Sequence, residues 1–235
     1  MKNGSSTKNL FMTFFIVGAI FGLTFTALAT WADLEASFYG FDRTGGERLG
    51  TLNCPIIMAK NETSTFSVRI TNTSDRKIAP SVKTDVSTPA VLDTEFTPIK
   101  LEVGESKTLT WEITPENVDL DRFIFIRAWM YAGYPVKDKE GTCGVLVLPI
   151  PGKGIFYTWG MILVSLLGMG VGLSMLKRSK SSSDRSTDFS RLVAMGVIAL
   201  AGIIVSLLGI WLAGVLILVL GALLSVVLIS HALRS

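Results

Sequence analysis

The sequence predicts an integral membrane protein in which four membrane-spanning helices carry one all-β domain outside the membrane. Three tracts contain no Asp, Glu, Lys or Arg, at residues 11–32, 154–176 and 192–233, and a bilayer core needs about 20 apolar residues per helix. Residues 51–150 instead alternate apolar and polar side chains in short runs, which is typical of β-strands. Only 17% of the residues are charged, compared with about a quarter in soluble domains.

The first predicted span covers residues 9–32, after a short cytoplasmic segment at residues 1–8. A cleaved signal peptide is the alternative, because Lys8 precedes the apolar stretch and Ala27-Leu28-Ala29 resembles a cleavage site. The apolar stretch has about 20 residues, longer than the 7–15 of a signal-peptide core. We therefore expect a retained membrane anchor.

Residues 33–50 are predicted to form a juxtamembrane linker. Gly45-Gly46 and Gly50 argue against a continuous helix there. The linker also carries three aromatic residues that are expected at the membrane interface or against the outer domain: Phe38, Tyr39 and Phe41.

The outer domain, residues 51–152, is predicted to be a β-sandwich. Apolar and polar residues alternate in TFSVRIT (65–71) and in LTWEIT (109–114), and turn-forming clusters separate the runs. About seven strands in roughly a hundred residues favour a sandwich. The predicted strands lie near residues 52–58, 64–71, 78–86, 95–102, 106–113, 122–131 and 143–149.

Three runs, FSVRITNTSDRKIAP, LEVGESKTLTWEITP and DRFIFIRAWMY, resemble the immunoglobulin-like domains of bacterial and archaeal surface proteins. These are the adhesion-related and fibronectin-like β-sandwiches, and the resemblance covers about residues 60–132. It implies an immunoglobulin-like fold and no particular activity, because such sandwiches serve many unrelated roles. The Cys…Trp…Cys pattern of antibody domains is absent in its usual form.

The chain has two cysteines, Cys54 and Cys143, and both lie in the outer domain. Outside the cytoplasm, oxidising conditions permit a disulfide, and closing this loop could stabilise the domain by about 2–4 kcal/mol. A redox pair or metal site is the alternative. Because the two cysteines lack CxxC spacing and a nearby histidine, we prefer the disulfide.

The predicted strand 122–131 is apolar or aromatic on both faces, although a sandwich strand usually has one solvated face. One interpretation is a central strand whose second face is covered by a loop or by the linker 33–50. The other is a surface for a protein partner. We prefer the first by a small margin. The candidate partner surface comprises Phe123, Phe125, Arg127, Trp129 and Tyr131.

The second predicted span covers residues 153–176 and is followed by a cytoplasmic loop at residues 177–191. The third uncharged tract, about 60 Å long as one helix, must fold back between Gly209 and Gly214, which gives spans at residues 192–211 and 212–233. The C-terminus, residues 234–235, is then cytoplasmic. Positive residues in short loops mark the cytoplasmic side, and with four spans they all fall on one side: Lys2, Lys8, Lys177, Arg178, Lys180, Arg185, Arg191 and Arg234.

Each predicted span carries a stripe of small residues that lets helix backbones approach closely. Packing within the chain and assembly with other membrane subunits explain these stripes equally well. The helix-packing candidates are Gly18, Gly22, Gly168, Gly172, Gly202, Ser206, Gly221 and Ser225.

No sequence motif indicates catalysis or a cofactor. The outer domain has no histidine, which excludes Ser-His-Asp and Cys-His arrangements there. No charged residue lies at membrane depth, which disfavours a pump or transporter. The only histidine, His231, lies near the end of the last span and is a poor candidate ligand on its own.

The sequence therefore favours a non-catalytic structural or accessory subunit of a larger complex in the cell membrane, with both termini cytoplasmic. Its expected partners are the lipid bilayer, other membrane subunits and an extracytoplasmic protein. Nucleic acid is not an expected partner, because the net charge is only +3 and no basic patch is interleaved with aromatic residues. The alternative is a surface receptor or adhesin that binds a ligand through the sandwich loops 87–98 or 132–142. In that case Tyr131, Tyr134 and Lys137 are the candidate contacts.

Overall fold

A computed structural model describes residues 3–41, 47–131, 136–178 and 186–232. The chain divides into two compact units, one of Met1–Thr30 with Tyr157–Ser235 and one of Trp31–Phe156. The first unit is helical and the second is mainly β-structure. The four α-helices are α1 (Asn3–Ala36), α2 (Gly154–Arg178), α3 (Ser186–Leu207) and α4 (Trp211–Ala232).

In the helical unit, α1 and α2 pack backbone against backbone through glycines. A Cβ atom on Gly18 would lie 2.5 Å from the Met169 nitrogen, and one on Gly168 would lie 2.8 Å from the Gly18 Cα. One turn further along α2, a Cβ on Gly172 would meet the Phe15 backbone. Only glycine permits this approach, so these stripes serve packing within the chain.

The remaining packing candidates also face other helices or their own helix. A Cβ on Gly22 would meet Ser165, and one on Gly202 would meet Thr26. Ordinary van der Waals distances separate Gly221 from Leu23 and Ile198. Ser206 is buried, and the Ser225 hydroxyl donates to the Gly221 carbonyl. Packing within the chain is enough to explain the small side chains at these positions.

The chain reverses between α3 and α4 at residues 208–210, where Gly209 has a φ of +60°. Glycine adopts this left-handed conformation without steric cost. The reversal lies at the first glycine of the predicted interval. Helix α3 begins at Ser186, inside the predicted loop 177–191; residues 179–185 of that loop lie outside the described residues, as do residues 1–2 and 233–235.

Within the described residues, three helical stretches are long and apolar enough to cross a membrane: Leu10–Phe41, Gly154–Arg178 and Phe189–Leu207. The fourth helix is also apolar, but the part with described side chains, Trp211–Val227, is shorter. The fourth span therefore stays a prediction. The first helix ends at Ala36 and is followed by a kinked turn at Ser37–Phe41, in which Tyr39 and Gly40 leave helical geometry. The predicted linker is therefore helical only at its start; Gly45 and Gly46 lie outside the described residues.

The β unit consists of two sheets, called sheet A and sheet B. Sheet A has the strand order β1-β9-β8-β5-β6, with β3 paired to β9, and sheet B has the order β2-β4-β7. The strands are β1 (Glu47–Arg48), β2 (Leu52–Asn53), β3 (Ile57–Ala59), β4 (Ser64–Thr71), β5 (Ser81–Val86), β6 (Asp93–Pro98), β7 (Ser106–Ile113), β8 (Phe123–Tyr131) and β9 (Lys139–Leu148).

The predicted strands 64–71 and 106–113 coincide with β4 and β7. The predicted strand 52–58 is wrong as one element, because β2 pairs with β4 in sheet B and β3 pairs with β9 in sheet A. The predicted strand 95–102 is displaced, since β6 covers Asp93–Pro98. Beyond β6, Leu101 forms only an isolated bridge with Ile78.

The sandwich core lies between the two sheets and is closed by the predicted disulfide. Phe66 and Trp111 stack at 5.2 Å between ring centres within this core, against Ile124 and Ile126 of sheet A. The Cys54–Cys143 disulfide is confirmed, and it joins the end of β2 to β9 across a sequence separation of 89 residues. It therefore links the two sheets of the sandwich.

The last turns of α1, from Trp31 onward, belong to the β unit and pack on β9. A Cβ on Gly144 would overlap the Ala32 carbonyl group, so glycine is required at this point of the strand. The Gly144 N–H donates to the Asp33 carboxylate at 2.9 Å. Because β9 meets α1 backbone to backbone, the end of this helix is part of the folded domain.

The turn after β4 is held by one buried asparagine. Asn72 is 1% exposed, and its side-chain amide donates to the carbonyls of Arg76, Leu101 and Glu102 at 2.8–3.2 Å. Its side-chain oxygen accepts from the Ser74 N–H and hydroxyl. Each polar atom of the side chain is thus engaged by the turn.

Gly144→Ala should destabilise the β unit by about 1–3 kcal/mol, because the added methyl group forces α1 away from β9. Gly50→Ala is the matched control, since a Cβ at Gly50 meets nothing within 4 Å. Thermal unfolding of the full chain in detergent measures both. Equal stability of the two variants would show that the contact at Gly144 is loose.

Gly18→Leu should lower the stability of the helical unit by a similar amount, because its side chain would push against the α2 backbone. Gly170→Leu, on the same helix pair, should change stability by less than about 0.5 kcal/mol, because the space at Gly170 is open. Detergent-solubilised chains compared by thermal unfolding test this. A loss as large in Gly170→Leu would contradict the packing described for α1 and α2.

Candidate interaction surface

The outer face of sheet A, the face turned away from the sandwich core, carries the predicted partner surface. On β8, Ile124, Ile126, Ala128 and Met130 belong to the core. Because side chains alternate along a strand, the other β8 residues lie on the outer face together. They are Phe123, Phe125, Arg127, Trp129 and Tyr131, the candidates from the sequence.

The chain's own residues 31–41 cover Phe123 and Phe125. Trp31 meets Phe123 edge-to-face at 5.3 Å between ring centres, and Tyr39 stacks on Phe125 at 5.5 Å. Phe41 also contacts Phe125. For these two residues the structure corrects the predicted partner surface, since they are 3% and 0% exposed. The preferred interpretation, cover by the linker 33–50, describes Phe125, whereas Phe123 meets Trp31 of the predicted first span.

Arg127 belongs to a buried ion network centred on Asp85. The Arg127 guanidinium donates to Asp85 Oδ2 through Nη2 at 2.8 Å and Nε at 3.2 Å. Lys83 lies 3.0 Å from the same carboxylate, and the Thr94 hydroxyl donates to Asp85 Oδ1. Arg127 Nη1 also reaches the Gly40 carbonyl at 3.4 Å.

The electrostatics of Asp85 follow from this geometry. Burial opposes ionisation of the carboxyl, but the hydrogen bonds from Arg127, Thr94 and Lys83 and the Lys83 charge outweigh it and hold the pKa of Asp85 below its usual range. The Asp85 carboxylate therefore stays ionised next to Lys83 and Arg127. This network gives Arg127 a structural role on the outer face.

Trp129 and Tyr131 occupy the far end of the outer face of β8. Their rings stack at 4.5 Å between centres, and both side chains are half-buried. Trp129 Nε1 is buried and has no hydrogen-bond partner within the described ranges. These two aromatic residues thus remain accessible in part, unlike Phe123 and Phe125.

Beside them, the edge of sheet A exposes apolar side chains that fall within the predicted ligand-binding loop 87–98 but were not singled out there; the second half of that segment is strand β6 and not a loop. Val91 and Leu92, in the loop before β6, are 72% and 48% exposed, and Phe96 on β6 is 61% exposed. We call these three residues the edge patch. Leu92, Thr94 and Phe96 alternate with polar residues in the sequence, but the predicted strand 95–102 began too late to include Leu92 and Thr94.

Two candidate loop contacts of the receptor alternative, Tyr131 and Lys137, lie at the two ends of the β8–β9 connection, and each contacts another residue of the chain. Lys137 is exposed and pairs with Glu47 at 2.9 Å. Tyr131 stacks on Trp129. Tyr134 lies outside the described residues, as do the others at 132–135. Within the described part of the chain, no group of three or more His, Cys, Asp or Glu residues is placed to hold a metal ion.

No protein-family model and no curated protein matches the chain. Among solved structures, it is similar to a CARDB domain from Pyrococcus furiosus, with 17% identity, a TM-score of 0.35, and coverage of 41% of this chain and 84% of that one. A β-glucosidase from Erythrobacter marinus matches with 18% identity and a TM-score of 0.30, over 40% of this chain and 14% of that one.

A β-glucuronidase from Bacteroides uniformis matches with 14% identity and a TM-score of 0.32, over 38% of this chain and 12% of that one. The chain thus spans only a small part of either enzyme. The description of the β-sandwich rests on its own strand order and register.

Asp85→Asn should destabilise the β unit by roughly 2 kcal/mol, because Arg127 and Lys83 lose their counter-charge in a largely buried site. Since the folded-state pKa of Asp85 is depressed, its contribution is present above the unfolded-state pKa of about 4 and disappears as the pH falls below it. The variant should therefore lose part of the acid sensitivity of unfolding. Asp75→Asn, at an exposed pair with Arg76, is the control and should change neither quantity.

Proposed function

We propose that the chain is a non-catalytic accessory subunit of a larger complex in the cell membrane. Its helices anchor it in the bilayer, and its immunoglobulin-like sandwich contacts an extracytoplasmic protein. The observation that carries this proposal is the edge patch, where Val91, Leu92 and Phe96 project from the margin of a sheet whose core is already closed. Exposed apolar clusters of this kind mark interaction sites.

The membrane anchorage is supported by the apolar surfaces of the helices. Large aliphatic side chains at one-turn spacing remain exposed on α4, where lipid would cover them. With four spans, the basic residues of the short loop and tails favour cytoplasmic termini and an outer sandwich. The exposed α4 side chains include Leu212, Leu216, Val219, Leu220, Leu223 and Val226.

Lateral contact with other membrane subunits has to use surfaces other than the predicted glycine stripes. Gly18, Gly168 and Gly172 are already occupied by packing between α1 and α2. Gly170 faces open space on α2, and Ser174, one turn later, is exposed. In the proposed complex these small residues leave room for a neighbouring helix.

The receptor or adhesin alternative draws on the same part of the sandwich, because Val91 and Leu92 belong to the loop that joins β5 and β6. A receptor would bind a free ligand through this loop as an isolated chain. An accessory subunit would instead be purified with a stoichiometric protein partner. We favour the subunit because the patch continues from the loop onto the strand at Phe96.

Phe96→Ser should abolish co-purification of an extracytoplasmic partner from membranes in mild detergent, because the partner loses its largest apolar contact. The fold should be unaffected, since Phe96 is mostly solvent-exposed. Val103→Ser is the matched control: Val103 is 59% exposed, in the turn before β7. Quantitative mass spectrometry of both preparations measures the partner. Equal partner recovery with Phe96→Ser and Val103→Ser would rule out the edge patch as the contact.

A further inference from the structure

Strand β6 is the last strand of sheet A within the described residues, and its outer edge is open. It pairs with β5 on its other side over the whole of Asp93–Pro98. An open edge presents main-chain donors and acceptors to any extended segment that reaches it. Which groups are presented follows from the hydrogen bonds around β5.

In antiparallel strands, alternate residues direct their N–H and C=O groups to the same neighbour. The Ile99 N–H donates to the Pro80 carbonyl, so the odd-numbered residues of β6 bond to β5. Thr94 and Phe96 therefore direct their N–H and C=O groups outward. Pro98 offers only a carbonyl, because proline has no N–H. The outward edge thus holds two full donor–acceptor pairs and one further acceptor.

The two faces of this edge differ in chemistry. Leu92, Thr94 and Phe96 alternate on the outer face of sheet A, with the Phe96 ring 5.9 Å from the Lys83 ammonium. The opposite face carries the exposed carboxylates Asp93 and Glu95. An added strand would therefore meet apolar groups on one face and negative charge on the other.

A second copy of β6 brings no positive charge to this edge, because Asp93–Pro98 contains no lysine or arginine. In the antiparallel register centred on Thr94, Asp93 of one copy would face Glu95 of the other, and like charges directly opposite are destabilising. The same charges attract a segment with lysine or arginine at alternate positions. They therefore favour a basic segment over a second copy of β6.

The other long edge strand lacks these features. Strand β7 ends sheet B in the described part of the chain, and its exposed side chains are Ser106, Lys107, Thr108, Thr110 and Glu112. They combine hydroxyl groups with one charge of each sign, so this strand exposes neither a large apolar side chain nor a run of like charge. The edge of β6 is thus the better place for strand addition.

We propose that β6 binds an extended segment of a partner protein as an added strand of sheet A, and that basic residues alternate with apolar ones in this segment. The inference rests on the proposed function and specifies the partner's chemistry. Main-chain hydrogen bonds to Thr94 and Phe96 supply affinity, and the two faces of β6 supply specificity.

The probe is a blocked ten-residue peptide that alternates lysine and valine, titrated by fluorescence anisotropy against the full chain in neutral detergent. Two control peptides accompany it: one alternates glutamate and valine, and the other is the lysine peptide with N-methyl groups on alternate residues. Both controls should bind at least tenfold more weakly, because one reverses the charge and the other removes main-chain donors.

Asp93→Asn combined with Glu95→Gln should weaken binding of the lysine peptide at least tenfold. Glu112→Gln combined with Glu116→Gln is the matched control, removing two exposed carboxylates elsewhere on the sandwich, and should change binding less than twofold. Equal losses in both double variants, undiminished binding of the N-methylated peptide, or no binding up to millimolar concentration would each overturn strand addition.

Dimers of the full chain that cross-link through Thr94→Cys would also overturn the proposal, because the occupant would then be a second copy. These outcomes are distinct from failure of the proposed function. A partner that depends on Phe96 and does not add a strand would leave the accessory role intact. If no partner protein co-purifies with the chain at all, both the accessory role and the strand addition are ruled out.

Discussion

The outer face of sheet A is apolar at one end, and the folded domain depends on how that end is covered. Trp31, Tyr39 and Phe41 lie on Phe123 and Phe125, and the absence of a side chain at Gly144 lets the helix backbone reach β9. Burial of two phenyl rings contributes several kcal/mol. The cover is thus an integral part of the sandwich, and the folding unit begins at the end of α1 rather than at residue 51.

Local patterns in the sequence were sufficient to predict a strand wherever one of its faces is buried and the other is exposed. The alternation in β4 and β7 predicted both strands, and the spacing of the cysteines, with their location, predicted the disulfide. The split of 52–58 into β2 and β3 could not be predicted in this way, because it depends on which distant strand each piece pairs with. Pro55, which cannot donate to a ladder, was the one local sign of the break. The residues of the edge patch were not singled out within the predicted loop 87–98 for a related reason: Asp93 and Glu95 lie on the inward side of an edge strand, where apolar residues are expected.

The ion network connects the covered half of the outer face with the open edge. Arg127 reaches Gly40 in the covering segment and binds Asp85, and Asp85 accepts from Thr94 on β6. Arg127, which the sequence analysis assigned to a partner surface, therefore connects the covering segment 31–41 to Asp85 of β5. Asp85 in turn connects β5 to the edge strand β6. This arrangement leaves Phe96 and its neighbours as the part of the face where the chain's own contacts are few, which is why the proposed protein contact lies there.

The buried turn at Asn72 has a consequence for covalent modification. Asn72-Thr73-Ser74 matches the acceptor sequence for N-linked glycans, and so does Asn61-Glu62-Thr63. In the folded domain Asn61 is exposed, whereas the Asn72 amide already serves three carbonyl groups. A host that glycosylates such sequences would find Asn61 on the native surface and Asn72 only on an unfolded chain. A sugar at Asn72 would therefore identify molecules that were modified before this turn had closed.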